Sequence, residues 1–258
     1  MCRPVHFSVE YAINPHMKPG STNLEKANRQ WQNLVDTLRK IGVYVEIIDQ
    51  VEGVPDMVFA ADQGIVRGGE ILLANFRFPQ RQPETATYAK WFEAHGIKTK
   101  RLPAGFSFEG GGDSLFFNDM LFVGTGYRAS VGSCEEIANA LDIDVMPLRV
   151  IDPFFYHMDM SFMPLSPDTA FYYPKSISEN SRSILKKLVP NLYELSLEEV
   201  HAYSANSFIS GNQIVISAEA PESFRKRLHD LGMNIFEADI SEFKKAGGGI
   251  HCLINPIE

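Results

Sequence analysis

ETATYAKWFEAHGIKTKRLPAGFSFEGGGDSLFFNDMLFVGTG, residues 84–126, holds in order every element that the rest of the chain repeats. Its opening residues place apolar side chains at helical spacing until Gly96 stops the run. KTKRLP (98–103) then reads as a strand. GDSLFFNDMLFVGTG (112–126) reads as two apolar strands folded back at Asn118-Asp119, a hairpin.

The same order appears on both sides. Upstream, residues 21–41 open with STNLE, an N-cap signal followed by an acid, and carry Trp31, Leu34, Val35 and Leu38 at helical spacing. VYVEIID (43–49) is a strand and GIVRGGEILLANF (64–76) a hairpin about Gly68-Gly69. Downstream come SVGSCEEIANAL, DVMPLRVI and DMSFMPLSPDTAFYYP, then SENSRSILKKL, LYELS and NSFISGNQIVIS, then PESFRKRLHDLG, NIFEAD and GIHCLINPI. Hairpins start at residues 64, 112, 159, 206 and 249, so the intervals are 48, 47, 47 and 43. A near-constant period of this size marks a repeat architecture. The fifth hairpin lacks its second strand, whereas PVHFSVEY (4–11) is a strand without a partner. Pairing of these N- and C-terminal strands would close five strand-and-helix units into a ring with no open edge, one α/β domain over residues 1–258. An ordinary open α/β sheet produces the same alternation and is the competing fold.

Composition narrows the function. With 45% hydrophobic and 22% charged residues the chain is globular, and at 258 residues it buries a large core without staples. A net charge of −8 argues against nucleic acid and anionic membrane as partners, and suits a cationic small molecule. The three cysteines, Cys2, Cys134 and Cys252, form no CxxC pair and no metal-ligand spacing, which points to a reducing, cytoplasmic location. No run reaches the length of a membrane span. A homo-oligomer is left open.

Each unit carries a polar residue where its hairpin begins. These are Asp62, Asp113 with Glu109, Asp159 with His157, Asn206 and Cys252. Cys252 sits in KKAGGGIHCLINP (244–256), read as a glycine turn leading into a strand. A thiol there is ordinarily inert core, a histidine such as His157 ordinarily a satisfied core residue, and Glu109 ordinarily a loop carboxylate in solvent. His157 and Asp159, two residues apart on an expected strand, would share a face, and a buried carboxylate requires a cation. Asp56 and Asp62 bracket the apolar run MVFAA at even spacing, and Arg128 closes a glycine-flanked turn. Together a thiol, an imidazole and several acids suit attack on a planar cation. The thiolate needs a base or cation nearby, histidine carries the proton to a leaving amine, and carboxylates pair with guanidinium nitrogens.

EGGGD, HMD and GGGIHC, in this order and separation, resemble the guanidino-group-modifying enzymes of the pentein superfamily. That group includes arginine deiminases, dimethylarginine dimethylaminohydrolases, arginine dihydrolases and amidinotransferases. The resemblance spans nearly the whole chain and implies a five-bladed pseudo-symmetric α/β propeller, which agrees with the repeat count. It implies Cys252 as nucleophile, His157 as general acid and base, and Glu109, Asp62 and Asp159 as ligands of guanidino nitrogens. Arg128 would hold the substrate α-carboxylate, Asp56 would lie near its amino end, and Asn14 in YAINPHM would stand near the active site. The opening MCRP and the stretch NFRFPQR also echo the dihydrolases.

Two departures stand out. FEGGGD has one glycine more than EGGD, which leaves the register of Glu109 against Asp113 open, and the dihydrolases carry asparagine where this chain has Asp62. The implied activity is a metal-free, cofactor-free hydrolysis of arginine or an N-substituted arginine through a covalent thiol intermediate. It would give a citrulline-like product with ammonia or an alkylamine. The alternatives are a dihydrolase giving ornithine and two ammonia, an amidinotransferase, and, outside enzymes, an arginine-binding module.

Overall fold

The computed structural model describes residues Met1–Ile257. In chain order it runs β1 (Cys2–Arg3), α1 (Leu24–Lys40), β2 (Ile48–Asp49), β3 (Gly64–Arg67), β4 (Glu70–Leu73), α2 (Glu84–Ala94) and β5 (Lys98–Lys100). Then follow α3 (Gly110–Asp113), β6 (Ser114–Phe117), β7 (Met120–Thr125), α4 (Ser133–Leu141), β8 (Asp144–Arg149), β9 (Phe162–Ser166), β10 (Thr169–Tyr172), α5 (Glu179–Leu188) and β11 (Asn191–Glu194). The last elements are α6 (Leu197–His201), β12 (Phe208–Ser210), β13 (Gln213–Ser217), α7 (Glu222–Asp230), β14 (Asn234–Ala238) and α8 (Ser241–Lys244). The strands form five small sheets among the described residues, the α/β class expected.

Four of the sheets are built alike. Each begins with a hairpin, turned at a positive-φ residue in three of the four, as at Asn118 (φ 54°), and at Pro167-Asp168 in the β9–β10 hairpin, and its second strand pairs in parallel with the strand that follows the next helix. β4 thus pairs with β5 through α2, β7 with β8 through α4, β10 with β11 through α5, and β13 with β14 through α7. Parallel strands need such a crossover. The repeat is therefore hairpin, helix, strand. The sequence gives the same cyclic order, but each third strand belongs with the hairpin before it, not the one after.

The chain divides into two compact units. One comprises Met1–Ala60 with Leu195–Ile254, the other Ala61–Glu194 with the residues from Asn255. In the first, Asn23 caps α1 by accepting from Lys26 N at 2.9 Å, and Trp31, Leu34, Val35 and Leu38 form its buried face. Phe7 packs between Phe59 and Phe243. In the second, Leu72, Phe108, Leu121, Val123 and Ile137 fill one core, and Phe122, Leu148, Met158, Phe162 and Tyr172 another.

Four expectations need correction. No strand forms over residues 4–11 or 249–257, so no pairing of N- and C-terminal strands closes the chain. The N–H groups of Leu253 and Ile254 bond back to Ile250 O (3.2 Å) and His251 O (2.9 Å), and Pro256 has no N–H to offer a ladder. At the other end His6 N donates to Gln50 Oε1 and β1 pairs in parallel with β2. Consequently Cys252 lies in a 3-10 turn, His251–Leu253, not on a strand. His157 and Asp159 likewise share no strand face, because Met158–Met160 is a 3-10 turn and β9 begins only at Phe162. The spacing of Asp56 and Asp62 is also not that of a strand, since they stand in the 3-10 turns Pro55–Val58 and Ala60–Gln63.

Candidate active site

Short helical turns, rather than strands, carry the reactive side chains. Asp62, Asp113 and Asp159 occupy turns that end at or just before β3, β6 and β9, and each is buried. The three glycines of FEGGGD make up most of α3, which puts Glu109 and Asp113 one turn apart and fixes their register. Gly112 is required by its neighbours, because a Cβ there would stand 2.4 Å from Asp62 Oδ1 and 2.6 Å from His157 Nδ1.

Around that glycine the second unit gathers a buried charge cluster. Glu109 Oε2 faces His157 Nε2 at 2.9 Å and accepts from Arg128 Nη1 at 3.0 Å, while Glu109 Oε1 accepts from Arg77 N at 3.2 Å. The other face of the imidazole, Nδ1, lies 3.8 Å from Asp62 Oδ1. Asp62 Oδ2 takes Arg81 Nη1 at 2.6 Å, and Arg81 is held in turn by Glu84 through Nε (2.9 Å) and Nη2 (3.0 Å). Arg128 lies between the rings of Tyr156 and Phe78, its guanidinium carbon 4.4 and 4.7 Å from their centroids.

The ionisation states follow from these contacts. Burial works to raise the Glu109 carboxyl, but the Arg128 charge and the His157 hydrogen bond outweigh it and hold Glu109 well below the usual range. Burial alone would depress His157. Asp62 and the Glu109 hydrogen bond instead lift it to about 9, so the imidazole is protonated at neutral pH. Asp62 is raised by its burial against the pull of His157 and Arg81, with the Asp159 charge adding to the rise.

The first unit holds the thiol. Asn206 Nδ2 donates to Cys252 Sγ at 3.1 Å, and Asn206 Oδ1 accepts from Cys252 N at 3.3 Å. Gly249 leaves room for this clamp, since a Cβ there would lie 2.5 Å from Asn206 Oδ1. In the same unit Tyr11 OH donates to Asp56 Oδ2 at 2.9 Å, and Asn14 Nδ2 donates to Ala246 O at 3.0 Å beside the triple glycine. The structure thus joins Glu109, His157, Arg128 and Asp62 in one cluster and Cys252 with Asn206 in another. Arg81 and Glu84 were not singled out by the sequence. Their only signal is an Arg-x-x-Glu pair at the start of a helix, which reads equally as a solvated salt bridge.

The family model described as N,N dimethylarginine dimethylhydrolase, eukaryotic, matches residues 3–258. The chain belongs to this dimethylarginine dimethylhydrolase family. One relative of this family member is the bifunctional arginine dihydrolase/ornithine cyclodeaminase ArgZ of Synechocystis sp. (strain ATCC 27184 / PCC 6803 / Kazusa), 35% identical over 98% of this chain and 36% of its own length. The chain therefore spans little more than a third of that bifunctional protein. The N(G),N(G)-dimethylarginine dimethylaminohydrolase of Mycobacterium tuberculosis is 31% identical over 98% of this chain and 83% of its own length. Among solved structures, the N-terminal domain of ArgZ with a covalently bound reaction intermediate matches at TM-score 0.97 and 32% identity, covering 100% of this chain and 96% of that one. Among the described residues no helix is long and apolar enough to cross a membrane.

Proposed function

We propose that this member of the dimethylarginine dimethylhydrolase family is a cysteine-dependent hydrolase of the guanidinium group of arginine or an N-substituted arginine. The observation that carries the proposal is the buried imidazole of His157, held between Glu109 and Asp62 and protonated at neutral pH. A buried acid of this kind suits an amine leaving group.

Cys252 thiolate attacks the guanidinium carbon, forming the C–S bond. The C–N bond to one terminal nitrogen then breaks, and His157 gives its proton to that nitrogen, which departs as ammonia or an alkylamine. Water, deprotonated by the now neutral His157, adds to the same carbon and the thiolate leaves, giving a citrulline-like product. Glu109, Asp62 and Asp159 are assigned the guanidino nitrogens and Arg128 the substrate α-carboxylate. Asp56 is assigned the amino end of the substrate, with Asn14 nearby. The substrate cation and protonated His157 are the charges that favour the thiolate. For the fold as a whole, four sheets with a common order, together with the β1–β2 pair, support the reading of a single catalytic domain of the five-bladed pentein type. The chain is assigned to the cytoplasm.

A second reading is favoured by the likeness to ArgZ, named an arginine dihydrolase. In it the carbon held on the thiol is hydrolysed further by a second water, releasing ornithine, two ammonia and the guanidino carbon as carbon dioxide. Asp62 is the position that separates the two, because its carboxylate offers guanidinium nitrogens only acceptors where an asparagine offers a donor as well. The test is a panel of arginine and its methylated forms, with citrulline, ornithine, ammonia and alkylamines quantified together. Citrulline with one equivalent of ammonia or amine is expected from the leading reading. Ornithine with two ammonia transfers the assignment to the dihydrolase, and no turnover of any guanidino compound contradicts both.

A further inference from the structure

Asp113 is fully buried, yet it takes part in no ion pair among the described residues. Its Oδ2 accepts the backbone N–H of Glu109 at 2.7 Å, and its Oδ1 is buried without a hydrogen-bond partner. Both nearby cations are already engaged, since Arg128 and His157 each bond to Glu109. A buried carboxylate with a single N–H donor and no cation is not tolerated, and a carboxyl so placed keeps its proton.

We infer that Asp113 is a neutral carboxylic acid at neutral pH and the positioning residue of Glu109, fixing its backbone through Oδ2 while Glu109 carries the negative charge that faces His157 Nε2 and Arg128. Burial and the adjacent Glu109 charge, opposed by His157, push the Asp113 carboxyl up to about 8, in agreement with the geometry. The charged or ionisable groups around it are His157, Glu109 and Arg128, together with Asp62 and Asp159 on the turns beside α3 and the Cys134 thiol of α4. Ionisation of Asp113 would set a second negative charge beside Glu109 and bind the His157 proton more tightly, slowing its delivery. Turnover should therefore fall as pH rises through about 8.

The protonation state stands on geometry alone, whereas its effect on turnover rests on the catalytic reading proposed above. The experiment therefore has two arms. In the infrared difference spectrum of wild type minus Asp113→Asn at pH 7, the carbonyl stretch of a protonated carboxyl is expected as a positive band. That band should give way to carboxylate bands as pH passes about 8. In the kinetic arm, Asp113→Ala is expected to lower kcat by about tenfold or more, and Asp113→Asn, a neutral acceptor of the same shape, to recover all but about threefold. The asparagine variant should lack the fall near pH 8. Absence of the band, or an asparagine variant as poor as the alanine one, would overturn the inference. If no guanidino compound is turned over, the infrared arm alone decides the protonation, so failure of the catalytic reading is told apart from failure of this one.

Discussion

Asn206 meets Cys252 twice, once at the sulfur and once at the backbone N–H, and so sets where the thiol points. Asn206→Ala should lower turnover about tenfold or more without unfolding the protein, since the lost group orients the nucleophile rather than filling a core. Single-turnover kinetics beside a urea titration checks this. Arg128 presents the reverse case. Arg128→Met leaves the buried Glu109 carboxylate without its main cation and should cost about 3–5 kcal/mol in urea-induced unfolding. His157 links folding to pH. Its ordinary value of 6.5 is raised to about 9 in the folded chain, so the stability it contributes is complete below about 6.5 and is lost as pH climbs through 9. Unfolding free energy measured from pH 6 to 10 should show this decline in wild type and a flatter profile in His157→Asn.

At the scale of elements, α3 is the most demanding piece. Gly112→Ala would drive a methyl group into Asp62 and His157, so it should abolish turnover while the far-UV circular dichroism stays native. Alanine at Gly211 (φ 59°), whose Cβ would meet nothing within 4 Å, should cost about 1 kcal/mol of stability through its positive φ and leave turnover near that of wild type. Helices and hairpins were legible in the sequence because each has its own local signal. Apolar spacing marks α1, and Asn118, Gly68-Gly69 and Gly211 mark turns that need positive φ. The turns that carry Asp62, Asp113, Asp159 and Cys252 were not legible. A single 3-10 turn has too few residues to show a period, and a residue at the head of an apolar run reads as the start of the strand. The buried pair of Arg81 and Glu84 was missed for a related reason, since two charges near a helix start look solvated until their surroundings are known. The order of parallel pairing was hidden too, because period alone does not say whether a strand returns to the hairpin before it or goes on to the next.

For the whole molecule, the central claim is that one cysteine of three forms a bond to the guanidinium carbon. None of the three thiols, Cys2, Cys134 and Cys252, is in a disulfide and all are buried, so exposure does not separate them. Chemistry does, because Asn206 clamps Cys252 at both its sulfur and its backbone N–H, whereas burial raises the Cys134 thiol to about 11 and leaves it a poor nucleophile. The most direct test is mass spectrometry of the protein acid-quenched during turnover of arginine, followed by peptide mapping. An adduct equal to arginine less ammonia is predicted on the peptide carrying Cys252, and it should vanish in Cys252→Ser. An adduct on Cys2 or Cys134, or turnover that survives Cys252→Ser, would contradict the claim.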